Sequence, residues 1–182
     1  RLVVQQDSTV GEFAGSRIPA SVGDELRALG VARPVAEIHA VTGTSGTDAM
    51  LVMGAEPDQY RSLDGARRFL FNIIQYPGCG TFLARASFLA LDPPSGEPCG
   101  LLLTSGVAAD MGHVTQVCVA PAARGRGIGR ELLLHALSAL QEMDYRSCSL
   151  TVTAANTGAV ELYERVGFRT SRTFPALVWD GF

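Results

Sequence analysis

The chain contains no lysine: all 15 basic residues are arginine, set against 18 acidic ones, for a formal net charge of -3 over 182 residues. Nucleic-acid binding needs a dense basic stripe, so the missing lysines and the acidic balance argue against such a partner. Charge is sparse at 18% while 47% of the residues are hydrophobic, which excludes disorder along the whole chain. No apolar run reaches the roughly 18 residues of a membrane span, and no signal-peptide pattern is present; no membrane partner and a cytoplasmic setting are expected. Arg1 is not a natural start, which implies trimming or processing at this end. Only four cysteines occur, Cys79, Cys99, Cys118 and Cys148. Their spacing suits neither paired zinc ligands nor a CxxC redox pair, so free thiols and no metal are expected. A domain of this size buries roughly 70% of its unfolded surface and needs no disulfide or structural metal to hold a core.

Residues 1–47 are mixed in texture. A short strand at residues 2–4 leads into a loop with Gly11, Gly15 and Pro19, a helix is suggested near residues 24–29, and residues 42–47 are rich in Gly, Ser and Thr. We set this stretch apart as an extension or the remnant of a preceding segment, with a dimerisation arm among its open roles, and residues 48–182 as the main domain. There the pattern predicts a strand over 49–54 and a helix over 64–76 with Ala66, Phe69, Leu70 and Ile73 on one face. Strands over 87–91, 99–104 and 113–119 follow as an antiparallel meander, separated by turn residues. Next come an amphipathic helix over 128–143, with Leu132, Leu133, Ala136, Leu137 and Leu140 inward, and a strand over 149–153. A helix over 157–166 ends at Gly167, suited to a left-handed cap. Two strands, near 169–174 and 176–179, finish an α/β chain with a mixed sheet and helices on its faces.

The most informative stretch is Val117-Cys118-Val119-Ala120-Pro121-Ala122-Ala123-Arg124-Gly125-Arg126-Gly127-Ile128-Gly129. An apolar strand runs through a short loop into a glycine-punctuated helix start, where N–H groups can approach a phosphate and the helix dipole favours negative charge. A plain structural connector would look similar, and the arginines favour the anion site. A P-loop fails because position 130 is Arg and the chain has no Lys; a dinucleotide fingerprint fails on glycine spacing and on the absence of repeated βαβ units.

Arg124-Gly125-Arg126-Gly127-Ile128-Gly129 resembles the pyrophosphate-binding motif of the GNAT superfamily of N-acetyltransferases, [Q/R]-x-x-G-x-[G/A] after a strand. A second signature of that family also fits: a strand ending in Asn156, then Leu162-Tyr163-Glu164-Arg165-Val166-Gly167-Phe168. The resemblance covers about residues 49–182. It implies a mostly antiparallel twisted sheet flanked by helices, with a cofactor cleft between two splayed parallel central strands. Acetyl-CoA is then the donor. Its pantetheine arm would pair with backbone groups of Val117 and Val119 and meet Asn156, and its pyrophosphate would rest on N–H groups from Arg124 to Arg130, with Gly125, Arg126, Gly127 and Gly129 in the cradle. Arg126 and Arg130 fit a solvated surface equally well.

The implied reaction is direct attack of a primary amine, from a small molecule or peptide, on the thioester, expelling a thiolate. Tyr163, seven residues after Asn156 and on the same helical face, would protonate that sulfur, since a phenol holds its proton to about pH 10. Without the motif, Tyr163 reads as core packing and Asn156 as an N-cap. His113, six residues before Val119, is the candidate base, with a water chain as the alternative. His135 reads as lying on a solvated face, and His39 falls in the unmatched segment. Cys118 points away from Val117 and Val119 by strand alternation. A non-catalytic acyl-CoA-binding or sensing module on the same fold is the competing reading.

Overall fold

The computed structural model describes residues 2–18, 37–40, 63–76, 78 and 80–179. Among the described residues, eight strands and three α-helices follow in the order β1 (Leu2–Arg17), β2 (Glu37–Ala40), α1 (Leu63–Gln75), β3 (Thr81–Phe82), β4 (Phe88–Leu91), β5 (Pro98–Ala108), β6 (Met111–Val119), α2 (Ile128–Glu142), β7 (Ser147–Thr153), α3 (Thr157–Val166) and β8 (Arg172–Trp179). They form one sheet in the order β2-β4-β5-β6-β7-β1-β8, with β3 beside β5. Every pairing is antiparallel except β6 with β7. This is the mixed, mostly antiparallel sheet the motifs implied.

Residues 99–105 of β5 are buried throughout, because the strand lies at the centre with a helix on each face. On one face Leu102, Val114, Leu150 and Val152 pack against Ile128, Leu132, Leu133, Ala136, Leu137 and Leu140 of α2. On the other, Leu101, Leu103 and Cys118 pack against Ala66, Leu70 and Ile73 of α1. The apolar stripes read from the 3.6-residue period are thus the faces that α1 and α2 bury. Burial on this scale is worth about 1.5–3 kcal/mol per large side chain, which anchors both helices.

Some expectations are corrected. Gly11 and Gly15 lie inside β1, whose pairing shifts between Phe13 and Ser16, where a permissive backbone accommodates the irregularity. The two closing strands are one, β8, running through Pro175. As the terminal strand of the sheet, β8 tolerates a residue without an N–H. Residues 106–112 are not a long turn: β5 extends to Ala108 and β6 resumes at Met111. Residues 1–47, set apart in the sequence, contribute β1 and β2 to the sheet. The helix expected near 24–29, the Gly/Ser/Thr stretch at 42–47 and the strand expected over 49–54 lie outside the described residues.

Candidate functional site

The parallel β6–β7 ladder pairs Met111 with Ser147, Gly112 with Cys148, His113 with Ser149 and Val114 with Leu150. It stops there, although β6 continues to Val119 and β7 to Thr153. At the same place β6 carries a bulge: Leu103 of β5 pairs with Gln116 and Thr104 with Val114, which leaves Thr115 as the extra residue. Thr115 Oγ1 donates to Leu103 O at 3.1 Å and pins the bulge. The strands therefore part company at a defined point.

Strand chemistry fixes which groups face the opening. Ala120 N–H donates to Cys99 O at 2.9 Å, and Gly100 stands opposite Val119. In an antiparallel ladder hydrogen-bonded pairs alternate, so Cys118 and Gln116 bond β5 while Val117 and Val119 turn their N–H and C=O groups to the edge where β7 leaves. The Val119 carbonyl accepts Arg124 Nε at 3.2 Å. Side chains alternate as expected: Val117 and Val119 pack on the α2 side, Cys118 on the α1 side.

After β6 a short 3-10 turn at Pro121–Ala123 leads to the glycine loop. Gly125 (φ 76°) and Gly127 (φ 89°) are both left-handed, a conformation costly for residues with a Cβ. No heavy atom lies within 4 Å of where a Cβ would stand on either, so their backbone is open to an approaching group. Gly127 is the N-cap of α2, whose first turn offers N–H groups and the positive end of its dipole. Gly129 does something different: a Cβ there would sit 3.2 Å from Leu162 Cδ2, so its task is close packing of α2 on α3. Arg126 pairs with Asp92 of the β4–β5 turn, Nη2 to Oδ1 at 2.8 Å. That bond, first among its causes, holds the Asp92 carboxyl below its ordinary pKa. Arg130 lies half-buried in the first turn of α2 beside Glu131, whose carboxyl burial pushes up.

On the β7 side, Asn156 caps α3 by accepting Ala159 N–H at Oδ1, 3.3 Å away. Tyr163, two turns on, is 6% exposed and sits edge-on to Phe168, with ring centroids 6.2 Å apart. Burial pushes its phenol up to about 12, so it is a neutral, proton-bearing group at physiological pH. Gly167 takes the left-handed cap (φ 107°) that was expected. His113, at the apex of the opening, holds Ser149 Oγ with Nδ1 at 2.8 Å. The structure thus brings the β6 backbone edge and the glycine loop to one end of the sheet, with His113 one residue short of the ladder's end. Asn156 stands at the α3 terminus that follows β7.

Sequence reasoning missed Asp92 and Ser149. Their contacts with Arg126 and His113 span 34 and 36 residues and leave no local pattern. It also misjudged His135, whose ring packs on Phe88 at 5.5 Å, with desolvation lowering its pKa. The α2 helix is buried nearly all round, so the face expected to be solvated meets β4. Among the described residues, no group of His, Cys, Asp and Glu could hold a metal ion, and no helix is long and apolar enough to cross a membrane.

A model of the "Acetyltransferase (GNAT) family" matches residues 53–168. A mycothiol acetyltransferase of Mycobacterium sp. (strain JLS) is 39% identical over 88 residues, 46% of this chain and 29% of the relative. The chain thus spans less than a third of the length of that curated relative. A GNAT-family acetyltransferase structure from Novosphingobium aromaticivorans superposes over 97% of this chain and 65% of its own, with a TM-score of 0.62 and 18% identity. An aminoglycoside N-acetyltransferase solved with CoA covers 76% of this chain and 91% of its own, at a TM-score of 0.59 and 16% identity. These two likenesses establish the fold.

Proposed function

Because the chain belongs to the GNAT acetyltransferase family, we propose that it transfers the acetyl group of acetyl-CoA directly to a primary amine of a small molecule or peptide. The observation that carries this reading is the opening itself: a parallel ladder that ends at Val114–Leu150, beside a strand edge and a helix N-terminus entered through two left-handed glycines. The residues fit the donor. Val117 offers N–H and C=O and Val119 its N–H to an extended amide-bearing arm, and the open backbone at Gly125 and Gly127 with the α2 N-terminus suits a pyrophosphate. Asn156 keeps its two Nδ2 protons as donors toward the arm, while Oδ1 serves α3. Arg124 and Arg130 add positive charge, whereas the charge of Arg126 is offset by the Asp92 carboxylate, and that pair ties the glycine loop to the β4–β5 turn.

Bound acetyl-CoA supplies an acyl group already activated as a thioester. The chain's own residues then hold and move protons. Tyr163 keeps its Oη proton to about pH 12 and can deliver it to a departing thiolate. His113 takes the proton that the acceptor ammonium must lose. Relatives named for mycothiol and aminoglycosides support a small-molecule acceptor. On this reading residues 48–182 carry the site.

The test combines thermal shift with thiol release. Acetyl-CoA or CoA at about 100 times its dissociation constant should stabilise the chain by about 2.7 kcal/mol, whereas ATP and NAD should not. Tyr163→Phe should keep that shift and lose roughly 10²-fold in thiol release with a panel of glucosamine, spermidine and an alanyl peptide. A full shift without thiol release in the unmodified protein would favour the sensing module; no shift with either thioester or thiol would sink the cofactor site.

A further inference from the structure

β4, β5 and β6 run antiparallel in turn, so the C-terminal end of β4 lies at the same end of the sheet as the C-terminal end of β6. Asp92, the residue after β4, therefore meets the glycine loop that follows β6. The strand order β4-β5-β6-β7 puts this contact on the β5 side of β6, whereas the opening lies on the β7 side.

A braced turn presents Asp92. Its N–H donates to Glu97 O at 2.8 Å and its carbonyl accepts from Gly96 N–H at 2.7 Å. Gly96 is left-handed (φ 69°), and Pro93 and Pro94 restrict the backbone before it. Ser95 Oγ donates to Asp92 Oδ2 at 3.1 Å and accepts from Glu97 N–H at 3.2 Å. With Oδ2 held in this way, Oδ1 is turned to Arg126, whose Nη2 stands 2.8 Å off, and Oδ1 is closed off from solvent. A carboxylate oxygen that water cannot reach needs a cation beside it.

The glycine loop has the opposite character. Its backbone bonds act at its ends: Arg124 N–H reaches Pro121 O at 3.4 Å and Glu131 N–H reaches Gly127 O at 3.1 Å. Between them Gly125 and Gly127 are left-handed, with open space where each Cβ would stand. Glycine adopts either sign of φ about as readily, so these two residues permit the open cradle without enforcing it. Arg126 stands between them, and its pair with Asp92 ties the middle of the loop to a rigid part of the fold.

We propose that Asp92 is a positioning residue of the donor site: it draws Arg126 to the β5 side of β6 and so holds Gly125 and Gly127 in the conformation that receives a pyrophosphate, with Arg126 as an anchor and not a phosphate ligand. This rests on the reading of the loop as the acetyl-CoA site. Preorganisation raises affinity by removing an ordering cost that binding would otherwise carry. An Arg126 that served the phosphates would have Asp92 as a competitor, so the two roles give opposite signs when the carboxylate is removed.

The test compares Asp92→Asn, Arg126→Gln, their double variant and Asp92→Glu in the full chain, by calorimetric titration with CoA and by thiol release. Asp92→Asn should weaken CoA binding roughly fivefold, the upper end for a partly exposed ion pair. Arg126→Gln should match it, the double variant should lose no more than either, and Asp92→Glu should recover part of the loss. The loss should fall on the KM for acetyl-CoA rather than on kcat, and it should vanish with acetylpantetheine, a donor without a pyrophosphate. Tighter CoA binding in Asp92→Asn, a larger loss in Arg126→Gln, additive losses, or an equal loss with acetylpantetheine overturns the proposal. Backbone 15N relaxation of Gly125 and Gly127 in the ligand-free chain separates this from the donor reading. Their order should fall in Asp92→Asn and return in Asp92→Glu; unchanged order overturns the anchor. If the unmodified chain takes no CoA while these glycines loosen in Asp92→Asn, the donor reading falls and the loop anchor stands.

Discussion

Tyr163 and Cys148 show what burial does to a single titratable group. Neither side chain has a charge nearby among the causes that raise its pKa; loss of water alone pushes both up to about 12, from ordinary values of 10 and 9. In the folded chain both stay protonated, and in the unfolded chain both ionise sooner. The stability they contribute is therefore whole below pH 9, begins to fall as Cys148 ionises in the unfolded state, and is lost as the pH approaches 12. Tyr163 alone should cost about 1.4 kcal/mol by pH 11. Urea unfolding at pH 7.5 and pH 11 checks this, and Tyr163→Phe should flatten part of the difference. Cys148 is also an inert thiol on this account, as Cys118 is by its packing beneath α1. The candidate acid was legible in the Leu-Tyr…Gly-Phe signature, whereas the rise of its pKa above the ordinary phenol value comes from the packing that surrounds it.

At the scale of elements, three glycines that look alike in the motif have two different duties. Gly125 and Gly127 are needed for backbone conformation, and Gly129, like Gly100 on β5, is needed for close approach. A Cβ on Gly100 would meet Ile128 at 2.9 Å and Leu132 at 3.1 Å, both fully buried. Gly100→Ala should therefore destabilise the chain by about 1–3 kcal/mol, because α2 must lift from the sheet. Gly127→Ala has room for its methyl and should cost about 1–2 kcal/mol for the left-handed backbone, with a weakened response to acetyl-CoA. Chemical unfolding with and without acetyl-CoA separates the two: Gly100→Ala should keep the ligand response at lower stability, Gly127→Ala should not. The ends of α1, α2 and α3 were legible to within a residue or so, since apolar period and glycine caps act locally. The length of β1 and the unity of β8 were not, because Gly15 and Pro175 read locally as breaks. They are accommodated by partners far along the chain.

For the molecule as a whole, the opening exists because one parallel pair sits inside an antiparallel sheet and ends early. Backbone hydrogen bonds on β6 alternate in direction, so a ligand lying along its edge should act on alternate amides. Hydrogen exchange of Val117 and Val119 should slow when acetyl-CoA is added, while Cys118, already bonded to β5, should change little. Equal slowing at all three would point to general stabilisation instead of strand-like pairing with the arm.

By itself the sequence determined the helices, the glycine loop, the cap of α3 and the two motifs that place this chain in its family, because each depends on neighbours within a few residues. The tertiary structure alone decided which edge of β6 faces the opening, where Thr115 bulges, that Asp92 holds Arg126, and that Ser149 holds His113. These follow from registers between strands distant in sequence. A strand's own alternation fixes which residues share a face, and only the partner strand fixes what lies opposite them.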